Sequence, residues 1–139
     1  MKVYLYYIGK PRDANANAMA GEYIKRAGRY ARCEMREIKP ERFDPWDRHP
    51  GATKILLDAA GLPLDSEQFA ALVAKAEQQA RELVFVVGGA DGLPPGWRQR
   101  ADRLLSLSAL TLPHELARVL LAEQIYRAFA ALRGHPYPR

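Results

Sequence analysis

Two short stretches of this chain combine glycine, hydroxyl and titratable side chains at spacings that could handle a ligand: VVGGADG, Val86 to Gly92, and LSLSALTLPHELAR, Leu105 to Arg118. In the first, Gly88 and Gly89 let a ligand approach the backbone closely, although GG and DG are also ordinary turn sequences. No G-x-G-x-x-G follows the first strand and no G-K-[ST] is present, which moves nicotinamide cofactors and nucleoside triphosphates down the list of candidates. In the second, leucines alternate with Ser106, Ser108 and Thr111 before Pro113 and His114. Such short polar side chains cap helices and close turns, and that plain role stands beside a ligand-binding one. A third place is Leu57 and Asp58, at the end of the apolar run KILLD. Brought together, these apolar residues, glycines and backbone-rich loops would suit a flat, neutral heterocycle held by main-chain amides and carbonyls.

Charged and titratable groups follow closely. His114 falls in a first helical turn, where the helix dipole disfavours a charged imidazole and leaves a neutral ring able to accept a proton or a hydrogen bond; a structural histidine is the alternative. Arg118 is spaced to pair with Glu115 at i,i+3 as an exposed ion pair. Glu123 and Arg127, at i,i+4, read as a structural pair, and Tyr126 and Phe129 as core or interface residues.

The elements that must position these groups alternate in period. VYLYYIG (Val3 to Gly9) and CEMREI (Cys33 to Ile38) read as strands, with an alanine-rich helix from Ala14 to Arg29 between them. KPERFDPWDRHPG, residues 39 to 51, reads as a surface loop with freedom to move. KILLDAAG (Lys54 to Gly61) reads as a short strand ending in a turn, and Asp65 with Gln68 at capping-box spacing opens a helix through about Arg81. LVFVVGG (Leu83 to Gly89) has the continuous apolar character of a strand buried on both faces. A short basic helix, Trp97 to Arg103, precedes a last strand, LLSLS, and Pro113 stands where a first-turn proline would start the final helix. The alternation predicts a single α/β domain, residues 1 to 139, with a mostly parallel sheet flanked by helices, and ligands in such sheets bind beyond the carboxyl ends of the strands.

Bulk properties narrow the function classes. The 139 residues, 48% hydrophobic, suit one domain with a real core. No apolar run reaches the length of a membrane helix and the N-terminus lacks a signal-peptide pattern, so a cytoplasmic protein is expected. One cysteine, Cys33, and three scattered histidines offer neither a disulfide nor a zinc ligand set. The formal charge of +5 makes a polyanionic partner plausible.

VVGGADG, LSLSALTLPHELARVLLAEQIYRA and RGHPYPR together closely resemble the RlmH family of ribosomal RNA methyltransferases, in the SPOUT superfamily. The resemblance covers most of the chain and is densest from Leu83 onward. It implies an S-adenosyl-L-methionine-dependent enzyme that methylates N3 of a pseudouridine in 23S ribosomal RNA. It also implies a C-terminal trefoil knot whose loop, Leu107, Ser108, Ala109, Leu110, Thr111 and Leu112, wraps the cofactor, with Leu57, Gly88 and Gly89 completing the pocket. Arg118 matches an arginine of the RNA-facing site, and Tyr137 and Arg139 match a tail that enters the partner subunit's active site in a homodimer. Pro138 stands where the family usually has a histidine, so the general base would be dispensable or supplied by His114, His135 or water. The tail assignment is that Arg139 stabilises charge developing on the pyrimidine and Tyr137 fixes the base. Residues 39 to 51 are compact where family members carry more sequence. An apolar final helix, with Leu116, Val119, Leu120, Leu121, Ile125, Tyr126, Phe129 and Leu132 around its circumference, independently favours a second subunit. The alternative reading is an inactive RNA-binding protein of the same fold; no metal or membrane is implied.

Overall fold

The computed structural model describes residues 1–137. Five strands form one sheet in the order β2-β1-β4-β3-β5: β1 (Lys2–Ile8), β2 (Arg32–Ile38), β3 (Thr53–Pro63), β4 (Leu83–Val87) and β5 (Arg103–Ser106). Each neighbouring pair runs parallel, so all the carboxyl ends lie along one edge. The apolar run of β4 is buried at every residue, as expected for a strand with neighbours on both sides and layers on both faces.

The two faces are covered differently. On one, the long helices α1 (Ala14–Ala27), α3 (Ser66–Gln78) and α5 (His114–Leu132) pack over Val3, Leu5, Ile55, Phe85 and Leu105. On the other, Tyr6, Leu56, Val84 and Val86 are covered by Phe43, Ala52 and Trp97, which belong to loops carrying the single turns α2 (Pro45–Arg48) and α4 (Trp97–Arg100).

Local chemistry explains most boundaries. Asp13 accepts from the backbone N–H of Asn15 and Ala16 and starts α1. Asp65 and Gln68 form the expected capping box of α3, with both reciprocal hydrogen bonds present. That helix stops at Gln78, short of Arg81, because Ala80 turns left-handed at φ 53° and Arg81 N–H closes onto the Ala76 carbonyl. Pro113 lies one position outside α5, as its N-cap with ψ 141°, so His114 is the first helical residue.

Two expectations are corrected. The 39–51 segment is a packed strap: Phe43 and Pro45 are buried, and Asp44 caps α2 through the N–H groups of Trp46 and Asp47. The strap is pinned to the sheet by His49, whose ring shares a 2.7 Å hydrogen bond with the Tyr6 hydroxyl and whose carbonyl accepts from the buried Lys54 ammonium. Nor does β3 end in a turn near Gly61. It runs on to Pro63 through an irregularity in its pairing with β5, where Leu57 and Leu62 both face Leu105. Gly61 is required there by close approach: a Cβ would lie 2.7 Å from the Leu104 carbonyl group.

The expected all-round apolarity of α5 is met largely within the chain. Val119, Leu121, Ile125, Tyr126 and Phe129 are buried beneath α1, α3 and the sheet, while Leu116, Leu120 and Leu132 remain exposed. Cys33, on β2, packs against the core, and burial pushes its thiol up to about 12. Among the described residues no helix is long and apolar enough to cross a membrane, and no cluster of His, Cys, Asp or Glu could hold a metal ion.

Candidate functional site: a cavity at the carboxyl edge of the sheet

Where β4 and β5 end and β3 runs on past its last pairing with β4 at Leu56, the chain lines a cavity of about 250 Å³. Its walls include Leu57 from β3, Gly88 and Gly89 after β4, and Leu107, Ser108, Leu110, Thr111 and Leu112 from the loop after β5. Every cofactor-binding residue expected from the sequence is therefore on the wall except Ala109, which belongs to the same loop but does not face the space. His114 and Ala117, in the first turn of α5, close one side.

The serines shape this loop. The Ser106 hydroxyl, buried at the end of β5, donates to the Ser108 carbonyl at 3.0 Å, and the Leu110 N–H donates to the Ser108 hydroxyl at 2.9 Å. These bonds curl the backbone at Ser108, so that leucines and main-chain groups alternate around the opening. The glycines answer a different need, since backbones crowd together beside the cavity. A Cβ on Gly88 would lie 2.7 Å from the Gly92 carbonyl carbon, and one on Gly89 would lie 2.8 Å from the Ile8 carbonyl oxygen.

The start of α5 is fixed from the opposite side. Glu115 accepts from the backbone N–H of Arg12 at 2.9 Å and of Asp13 at 3.2 Å, tying the loop after β1 to the helix. These bonds, Arg12's first, hold the Glu115 carboxyl below its ordinary range.

Burial excludes the alternative reading of Arg118 as a solvent-facing partner of Glu115. It is 2% exposed, although the pair is present at 3.8 Å. Its guanidinium donates to Asn17 Oδ1 at 2.8 Å, contacts Met35 Sδ and lies 3.8 Å from the Tyr7 ring centroid. Burial lowers its pKa against the opposing influence of Tyr7 and Glu115. It is not a wall residue of the cavity; it clamps α5 to α1 and β1.

Tyr137 is also elsewhere. Its ring packs 4.7 Å from that of Tyr126, and its hydroxyl donates to Glu123 Oε2 at 2.6 Å. Burial, then that hydrogen bond, raises the phenol's pKa. Glu123 pairs with Arg127 at 2.8 Å, as the spacing predicts. Arg139 and Pro138 lie outside the described residues.

Sequence reasoning noted Asp58 as a strand end but assigned it no part. Asp58 lines the cavity, and its carboxylate is paired with Arg98 of α4 at 2.8 Å. No spacing rule joins residues so far apart in the chain.

Comparison with known proteins agrees with this geometry. The family model described as a predicted SPOUT methyltransferase matches residues 1–138. The chain is 64% identical, over the full length of both proteins, to the ribosomal RNA large subunit methyltransferase H of Solibacter usitatus strain Ellin6076. It superposes with TM-score 0.66 on a probable methylase family protein from Haemophilus influenzae, at 14% identity, covering 99% of this chain and 70% of that one. An AdoMet-bound ribosomal RNA methyltransferase from Sinorhizobium meliloti gives TM-score 0.55 at 15% identity, covering 91% of this chain and 55% of the other. With the matched family model spanning nearly every residue and a full-length relative well above the twilight of sequence similarity, this chain belongs to the SPOUT methyltransferase family.

Proposed function

We propose that the chain is an S-adenosyl-L-methionine-dependent methyltransferase of N3 of a pseudouridine in 23S ribosomal RNA, acting in the cytoplasm as a homodimer. The observation that carries this reading is the cavity beside mid-β3 and the ends of β4 and β5, walled by all but Ala109 of the residues that the family resemblance assigns to the cofactor. Its chemistry fits: Leu57, Leu107, Leu110 and Leu112, all on the wall, can enclose the faces of an adenine. In this reading the 107–112 loop is the knot loop. The bound cofactor supplies an electrophilic methyl group on a sulfonium.

The chain's own part is alignment and proton management. With cofactor and RNA bound, the cavity wall would align the methyl group with the incoming N3, a source of rate gain in such a displacement. Transfer would form the N3–carbon bond, break the sulfur–carbon bond and release the N3 proton. In this reading His114, which lines the cavity at the head of α5, would accept that proton directly or through water. Arg118 acts through position, holding the head of α5 against α1 and β1.

The tail serves a second copy. Tyr137 packs on Glu123 and Tyr126, about 14 to 18 Å along the α5 axis from His114 at 1.5 Å per residue. Held there it is remote from its own cavity. Exposed Leu116 and Leu120, at i,i+4 on α5, and exposed Met19 on the adjoining α1 supply an apolar surface for the partner. Tyr137 and Arg139 of one protomer then act at the other's site, the arginine meeting charge that develops on the pyrimidine.

The deciding experiment incubates the protein with methyl-labelled S-adenosylmethionine and either separate ribosomal subunits or assembled ribosomes, then maps the label. A single methylated pseudouridine in the large-subunit RNA is expected. Cofactor binding with no transfer to either substrate would refute the enzymatic reading.

A further inference from the structure

Among the described residues, Asp58 is the only acidic one that lines the cavity; the remaining lining groups are apolar side chains, glycines, hydroxyls and the His114 imidazole. The carboxylate is held rigidly. Its Oδ1 accepts from the Ala60 N–H at 2.8 Å, and its Oδ2 lies 2.8 Å from Arg98 Nε, with a longer 3.4 Å contact from Arg98 Nη2 to Oδ1. The two partners differ in their surroundings. The Asp58 side chain is 16% exposed, whereas that of Arg98, on the single turn α4, is 51% exposed. Solvent and salt screen the guanidinium on its outer side, while the cavity side of the carboxylate is lined largely by leucine and glycine. The pair is formally neutral, yet its acidic member lines the cavity while its basic member is outside the lining and more than half exposed to solvent.

We infer that Asp58 is the charge-selecting residue of the site: it favours a cationic cofactor over its neutral product, and Arg98 sets how strongly. This rests on the cofactor reading above. S-adenosylmethionine and S-adenosylhomocysteine carry the same adenosine and the same zwitterionic amino-acid end, and they differ by the sulfonium methyl and its unit positive charge. Leucines and backbone amides cannot register that difference, because they present no net charge. A fixed carboxylate on a wall of mostly apolar groups can, since Coulomb attraction at a few ångströms is stronger beside a low-dielectric surface than in bulk water. After transfer the charge is gone and with it the attraction, so Asp58 also limits product retention.

The test is calorimetric binding of S-adenosylmethionine, S-adenosylhomocysteine and sinefungin, whose amine supplies a positive charge without a sulfonium, to the full chain and to Asp58→Asn and Arg98→Gln. Asparagine keeps the oxygen that accepts from Ala60 N–H. Asp58→Asn is expected to weaken both cationic ligands by roughly tenfold and S-adenosylhomocysteine by less than about twofold. Arg98→Gln, which leaves the carboxylate unneutralised, is expected to widen the preference for the cations. A structural role for the pair would weaken all three ligands together. Equal losses in Asp58→Asn, or unchanged binding of the cations, would overturn the assignment. If Asp58→Asn does not fold, the second variant decides alone, and an unchanged or narrowed preference in Arg98→Gln overturns it. Failure of the wild-type chain to bind any of the three would instead overturn the cofactor reading, and this assignment with it.

Discussion

At the residue scale, the head of α5 shows how a buried cation is made tolerable. Arg118 has almost no contact with water, and its guanidinium is satisfied by the Asn17 side-chain oxygen, the Tyr7 ring and a distant Glu115. Asn17 supplies its shortest hydrogen bond, so Asn17→Ala leaves a buried charge short of a partner. A loss of about 1 to 3 kcal/mol in urea unfolding is expected. An Asn17→Ala protein as stable as the parent would mean that water or Glu115 moves in to replace the amide. The glycines beside the cavity carry an opposite lesson. A side chain on Gly89 meets the Ile8 carbonyl before it meets any ligand, so substitution there disturbs the end of β1 together with the pocket. Leu110, 77% exposed and with its side chain at the cavity mouth, is the cleaner probe. Leu110→Ala is expected to weaken binding of S-adenosylmethionine severalfold with little change in thermal stability, and a large fall in melting temperature would contradict that.

At the element scale, the strap from Phe43 to Ala52 replaces a helical layer on the second face of the sheet. Its anchor, His49, has its ring centroid 4.3 Å from that of Tyr4 at a 34° tilt and is hydrogen-bonded to the Tyr6 hydroxyl. Burial lowers the His49 pKa, opposed by the Glu82 carboxylate and reinforced by Arg48 and Lys54. The sign follows directly: a histidine that the fold keeps neutral contributes stability above its ordinary value of about 6.5, and that contribution is lost as pH falls through the lower folded value. Trp46, in the strap, meets Trp97 at 5.4 Å and 81°, so tryptophan fluorescence reports the contact. A fluorescence change on acidification below pH ~6.5 is expected in the parent and should be absent from His49→Gln. An identical titration in both proteins would show that the strap does not depend on this ring.

At the scale of the whole molecule, the proposed second copy is tested at an exposed apolar patch and at the tail. Leu116 and Leu120 are 50% and 44% exposed on a helix otherwise sunk into the core. Leu120→Glu would place a charge in the centre of that surface and is expected to convert a dimer to a monomer in sedimentation at micromolar concentration. A monomeric parent would rule out the shared site outright. Truncation after Gly134 removes Tyr137 and Arg139. It is expected to leave cofactor affinity nearly unchanged and to reduce methyl transfer roughly a hundredfold or more, the pattern of a lost transition-state contact. Equal turnover by the truncated and full-length chains would remove the tail from catalysis.

What could be read from residues alone was local or periodic. The Asp65–Gln68 box, the continuous apolar β4 and the Glu123–Arg127 pair each depend on neighbours within a few positions, so spacing suffices. The loop residues 107 to 112 were legible because their string is long and specific to a family, while the serines by themselves were compatible with an ordinary turn. Only the tertiary structure decided the rest. Gly61 looks like a turn until β5 lies against it, and residues 39 to 51 look like a free loop until His49 and Trp46 find partners on the sheet and on α4. Arg118 looks exposed at i,i+3 from Glu115 until α1 and β1 close over it, and Asp58 has no visible counter-ion until α4 folds back to it. In each case the deciding contact joins residues dozens of positions apart, and the free energy that selects it comes from burying both partners at once, a quantity that no pattern along the chain encodes.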